Sequence, residues 1–149
     1  MEISYYDMSR GLSDSDYQQL LAYRDSLRQF LYWSEQQAFD AGITPAQHQL
    51  LLAIRGHAGG TPTIGDVADH LLLRHHSVVG LVDRAERAGL VERRVDADDH
   101  RLVRLRLTAS GSRRLAALAA AHLDELDRLA SSASGAQLVK RGVPGRSAG

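Results

Sequence analysis

The chain has no cysteine, which excludes disulfide bonds, thiol redox sensing and thiolate metal ligands. It has no long apolar run. The longest Ala/Leu tract, residues 115–121, is far short of the roughly 18 residues a membrane span needs. The opening stretch MEISYYDMSRG is short and polar, without a secretory apolar core. A cytoplasmic protein that does not enter a membrane is therefore expected. Net charge of either sign is also missing, with 18 basic and 18 acidic residues, and this argues mildly against a nucleic-acid partner. Lysine is nearly absent: Lys140 is the sole example, so almost all positive charge is arginine. Arginine makes the bidentate contacts to phosphate and guanine that lysine cannot. No nucleophile elbow, phosphate loop or zinc-hydrolase motif is present, and Asp98 and Asp99 are mere neighbours in a turn-like stretch. Neither an enzyme nor a cofactor is expected. Seven histidines raise the question of a metal, but His75 and His76 would lie about 100° apart on a helix and no His-x₃-His pair exists, so no metal site is expected.

What is present is a legible order of elements. Ser13-Asp14-Ser15-Asp16 offers an N-cap and early negative charge. After it Tyr17, Leu20, Leu21, Leu27, Phe30, Leu31, Ser34 and Ala38 recur at helical steps, predicting a helix over 13–41 that Gly42 ends. Apolar on more than one side, this helix suits a dimer interface better than a lone surface position. Thr44-Pro45-Ala46-Gln47 is a capping box with proline at the first helical position, and Thr63-Ile64-Gly65-Asp66 is a second box. Each starts a short helix, carrying Leu50, Leu51 and Ile54, then Ile64, Val67, Ala68 and Leu71, inward. A turn over 72–74 leads to a helix over 75–88 with Val78, Leu81, Val82 and Ala85 on one face and Gly89 as its stop. Two short helices joined by a tight turn make a helix-turn-helix. Residues 90–95 and 101–107 read as strands around an Asp-rich turn, with Val103, Leu105 and Leu107 alternating with Leu102, Arg104 and Arg106. Thr108 caps a long last helix whose stripe is Leu115, Leu118, Ala119, His122, Leu126 and Leu129. Residues 1–12 read as an arm and 132–149, rich in Gly, Ser and Ala, as a flexible tail.

The predicted fold class is thus mainly α with a small β-wing: one domain over 1–149, with a winged helix-turn-helix at 44–107 flanked by dimerisation helices at 13–41 and 108–131. The first turns of a second helix in such a unit meet base edges in the major groove. Here they offer Arg74, His75, His76, Ser77, Val79 and Gly80. His and Ser donate and accept, valine suits a thymine methyl, and glycine permits close approach. Thr63 and Arg84 join this set as candidate DNA contacts. In the wing, Asp99 is expected to hold Arg101, which would enter the minor groove, where negative potential attracts a cation. Arg93, Arg94 and Arg104 are expected to meet phosphates.

These pieces resemble the MarR family of bacterial transcriptional regulators. The resemblance is carried by Gly42-Ile43-Thr44-Pro45-x-Gln47-x-x-Leu50-Leu51, by Leu81-Val82-Asp83-Arg84-x-Glu86-x-x-Gly89-Leu90-Val91-x-Arg93, and by Asp96-x-x-Asp99-x-Arg101 with Leu107-Thr108-x-x-Gly111. It implies a homodimer whose first and last helices interlace, and binding to a pseudo-palindrome in double-stranded DNA, commonly as a repressor. It also implies release by a small aromatic or anionic effector. The sequence departs from the family in having His100 before the wing arginine, and Val79-Gly80 in the middle of the recognition helix where Ser/Thr and a basic residue are common. Tyr23, Arg24, Trp33 and His48 are the candidate effector contacts. A lone histidine such as His48 is also expected to face solvent or a helix junction. The competing function is a winged-helix module that mediates protein–protein contacts without specific DNA binding. Arginine on the outer wing face argues against it.

Overall fold

A computed structural model of the chain describes residues 11–132. The arm and the tail expected at the two ends lie outside the described residues, save for their inner edges. Among the described residues, five helices and two strands follow in order: α1 (Asp14–Asp40), α2 (Pro45–Gly56), α3 (Ile64–Leu71), α4 (His75–Arg87), β1 (Val91–Val95), β2 (Val103–Leu107) and α5 (Ala109–Ser131). The chain divides into two compact units. Residues 34–123 form one, and the first part of α1 with the end of α5 belongs to the other.

Each boundary has a local cause. Ser13 Oγ accepts from the Asp16 N–H at 3.3 Å while Asp16 Oδ2 accepts from the Ser13 N–H at 2.8 Å, a reciprocal cap for α1. Both expected capping boxes are formed, Thr44 with Gln47 and Thr63 with Asp66. Gly42 and Gly89 take positive φ, 78° and 73°, where glycine has no Cβ penalty. At the end of α4, Leu90 N–H donates to Ala85 C=O and Gly89 N–H to Glu86 C=O, both at 3.0 Å, so the helix end consumes the Leu90 amide and β1 begins one residue later than predicted. Strand β2 is shorter than predicted for a similar reason. Asp99 accepts the Arg101 and Leu102 amides, by its carboxylate and its carbonyl, both at 3.0 Å.

The core lies in the 34–123 unit. Leu50, Leu51 and Ile54 of α2, Val67 of α3, Val78, Leu81, Val82 and Ala85 of α4, Val91 and Leu105 of the strands, and Leu115 and Leu118 of α5 are buried in one cluster. The strands pair antiparallel with Arg93 opposite Leu105 and Val95 opposite Val103. Leu105 is fully buried while Arg106 is exposed, as the period-two pattern required. The amide of Leu105 also donates to Pro62 C=O at 2.8 Å, and Thr63 bridges to Arg104, tying the wing to the start of α3. Gly111 lets α5 pass close to Leu90: a Cβ there would lie 2.1 Å from the Leu90 carbonyl oxygen.

One expectation is corrected here, and one, which left His48 to solvent or a helix junction, is narrowed to the junction. In α5 the predicted stripe divides: Leu115 and Leu118 belong to the core of this chain, whereas Leu126 is exposed. His48 does not face solvent. It is 3% exposed, its ring 4.8 Å from that of His122. His122 accepts or donates through Nε2 to Ser34 Oγ at 2.6 Å, and its Nδ1 reaches the Leu118 carbonyl at 2.7 Å. The carbonyl can only accept, so Nδ1 carries the proton and, in the neutral ring, the Ser34 hydroxyl donates to Nε2.

Candidate nucleic-acid interface

The proposed contact residues fall in the 34–123 unit, on α4 and its N-cap, on the wing and, for Thr63, at the N-cap of α3, and the fold treats them unequally. Helix α4 buries Val78, Leu81, Val82 and Ala85, which turns His75, His76, Ser77 and Arg84 outward, all exposed. Arg74 is the N-cap residue, extended and exposed, and its side chain makes no capping bond. Val79 and Gly80 are half-buried at the edge of this face. The Arg84 guanidinium lies near Gly80: a Cβ at Gly80 would be 3.6 Å from Arg84 Nη1.

The wing turn is a small machine of carboxylates. Asp96 Oδ1 accepts the amides of Asp98 and Asp99, each at 2.9 Å, and its Oδ2 accepts from Arg104 Nε. These bonds, with the Arg104 one first, lower the Asp96 carboxyl to about 2. Asp99 holds Arg101 as the sequence suggested: Oδ1 accepts from Nε at 3.0 Å and Oδ2 from Nη2 at 3.1 Å. That pair, helped by the Arg101 amide, keeps Asp99 below the usual carboxylate range. The Arg101 side chain is 90% exposed even so. It is a cation presented to solvent on a fixed arm.

Other arginines have structural duties. Arg93 Nη2 lies 2.5 Å from Asp83 Oδ1 and donates to Val79 C=O at 3.3 Å, while Nη1 donates to Glu86 Oε1 at 3.0 Å. It locks β1 against α4. Arg104 joins Asp96 to Thr61 C=O, donating to the latter at 2.7 Å. Arg94 is mostly exposed, 3.7 Å from Glu92. Thr63 Oγ1 accepts from the Asp66 amide at 3.2 Å, which leaves its hydroxyl hydrogen and one lone pair for another partner. The framework roles of Arg93, Arg104 and Asp96 were not visible in the sequence, since the two arginine side chains reach partners 7 to 43 positions away.

The candidate effector contacts are not gathered in one compact unit. Tyr23, Arg24 and Trp33 belong to the unit holding the first part of α1, and His48 to the other. Tyr23 and Arg24 are exposed, whereas His48 is a packed core residue. Burial first, and the charge of His122 second, hold the His48 imidazole below its ordinary value. Among the described residues no group of three or more His, Asp or Glu side chains is arranged to hold a metal ion.

A helix-turn-helix followed by a two-stranded wing defines a winged helix-turn-helix protein. Residues 41–102 match the model of the MarR family. Among solved structures, the chain is similar to the MarR family transcription regulator SP03579, at 24% identity and TM-score 0.74, covering 87% of this chain and 84% of that one. It is similar to a MarR family protein from Bacillus stearothermophilus, at 26% identity and TM-score 0.66, covering 85% of each. It is also similar to a mutant of S. aureus MepR bound to an oligodeoxyribonucleotide, at 25% identity and TM-score 0.62, covering 80% of this chain and 88% of that one. No curated protein matches the sequence. Residues 41–102 are thus similar to the MarR family model, and the chain shares the fold of solved MarR family transcription regulators.

Proposed function

We propose that this protein is a sequence-specific DNA-binding transcription regulator, acting as a repressor and, as a homodimer, reading a pseudo-palindromic operator. The observation that carries the reading is the pairing of an outward α4 face, bearing His75, His76, Ser77 and Arg84, with Arg101 held on Asp99 at the wing. The α4 face supplies donors and acceptors of the kind that read bases in the major groove. Arg101 supplies a minor-groove cation. Arg74 and Arg94 serve phosphates, while Arg93, Arg104, Asp99 and the Thr63 cap hold the shape, adding backbone contacts at most. Val79 meets a thymine methyl and Gly80 permits close approach.

The dimer reading is supported by the apolar side chains that α1 leaves exposed in the single chain: Leu20, Leu21, Leu27 and Leu31. Contiguous exposed leucines of this kind mark an interface. Release by a small aromatic or anionic effector, through Tyr23, Arg24 and Trp33, rests on the motif resemblance alone. No helix among the described residues is long and apolar enough to cross a membrane, and the cytoplasm is the compartment in which the protein would meet DNA.

The test is fluorescence anisotropy of the full chain on its own upstream DNA, titrated against salt and nonspecific competitor. Dimer-stoichiometric binding that survives competitor is expected. Weak binding, equal for every sequence and lost alike with salt, would mean simple charge attraction and would overturn the reading.

A further inference from the structure

His57 is the C-cap residue of α2, and His70 lies in the last turn of α3. Their rings meet edge to face: His57 Nδ1 and His70 Nε2 are 2.9 Å apart, with the planes at 80°. The other His57 nitrogen, Nε2, is 3.6 Å from Asp66 Oδ2. That carboxylate is itself fixed by the Thr63 amide at 2.9 Å. A carboxylate beside Nε2 favours the proton there. His57 therefore presents a lone pair at Nδ1, and in the empty pair His70 supplies the N–H between the rings.

We propose that His57 Nδ1 and His70 Nε2 form a two-histidine site for a divalent first-row transition ion such as Zn²⁺, Co²⁺ or Ni²⁺. Asp66 orients His57 from the far side of its ring. Imidazole donors backed by a carboxylate are what these ions take, in preference to the oxygen donors of Mg²⁺ or Ca²⁺. Metal–nitrogen bonds of 2.0–2.1 Å in tetrahedral geometry put the two nitrogens roughly 3.3 Å apart, so the rings separate by only a few tenths of an ångström. His70 moves its ring proton from Nε2 to Nδ1, and the neutral pair loses no proton. Further coordination positions go to water, since His70 is exposed and the His57 side chain is one-fifth exposed. With two protein donors, the site binds more weakly than a closed structural zinc centre. The bound ion joins the end of α2 to α3, the first helix of the helix-turn-helix. The ligands are thirteen residues apart in sequence, outside the short spacings that advertise a metal site, and the sequence-based expectation of none passed over them.

The experiment uses the untagged full chain, stripped with chelator and titrated with Co²⁺ while its visible ligand-field bands are recorded. One Co²⁺ per chain is expected, displaced by Zn²⁺. His57→Gln and His70→Gln should each weaken binding at least tenfold, and Asp66→Asn, which keeps an acceptor for the Thr63 amide, about tenfold. His75→Gln and His100→Gln should leave it unchanged. Absence of binding by the natural sequence, or undiminished binding when His57 and His70 are replaced together, would overturn the proposal. All variants change half-exposed or exposed side chains, and circular dichroism verifies their fold.

Discussion

Arg101 reaches into solvent while two of its nitrogens are fixed on Asp99. In the proposed function, ordering the arm in advance would reduce the entropy lost on meeting DNA. Arg101→Ala should weaken operator binding by about 1–3 kcal/mol and leave the thermal midpoint unchanged, because the side chain buries almost nothing. Anisotropy beside a melting curve checks both halves. Gly80 is a second separable case. A methyl there meets only the flexible end of Arg84, so Gly80→Ala should stabilise α4 by about 1 kcal/mol. If DNA approaches the backbone at Gly80, the same variant should bind the operator less well. Greater stability with unaltered affinity would show that the approach is not needed. His48 gives the pH dependence. Its imidazole is held below the ordinary value in the folded chain, so the unfolded chain takes the proton more readily. Stability is then fully present above about pH 6.5 and is lost as pH falls through the folded value. The urea midpoint should drop between pH 7 and 5, and should drop less in His48→Gln; equal drops would remove His48 as the cause.

At the scale of elements, the turn inside the helix-turn-helix was legible in position but not in conformation. Leu72 takes φ 54° and ψ 41°, the left-handed region, with no glycine to announce it. Its side chain is 92% exposed, so the strain is not repaid by burial of Leu72 itself. It is imposed by the need to stop α3 and start α4, with the Leu73 amide donating to Ala68 C=O at 3.1 Å. Leu72→Asn should raise unfolding free energy by about 0.5–1 kcal/mol, since asparagine tolerates this region better. A chemical-denaturation curve with an unmoved or lowered midpoint would refute that. The capping boxes, by contrast, were fully readable, because every partner lies within three residues. The same holds for the Asp99–Arg101 pair, two residues apart. The clamp of Arg93 on Asp83 and Glu86 was not readable, since it requires β1 to fold back along α4.

For the whole molecule, the decisive question is the proposed dimer. Leu27→Glu with Leu31→Glu should yield a monomer whose winged helix remains folded, because both leucines are exposed in the single chain and lie outside the 34–123 unit. Sedimentation should show halved mass, with far-ultraviolet dichroism largely retained and palindrome binding lost. A persistent dimer would move the interface elsewhere. Leu118 is unsuitable for the purpose. It lies in the core, and Leu118→Ala would cost about 2–5 kcal/mol of stability in each chain.

The amino-acid order by itself determined where helices start and stop, the two-residue alternation of the wing, and the Asp99 support for Arg101. These are short-range matters of caps, turns and periodicity, settled by neighbours a few residues apart. Tertiary structure decided what depends on distant partners. It divided the α5 leucines between core and surface, and it buried His48 against His122. It assigned Arg93 and Arg104 to the frame and brought His57 to His70. Which residues meet across such separations is set by how the helices pack, and packing is a property of all the buried faces together.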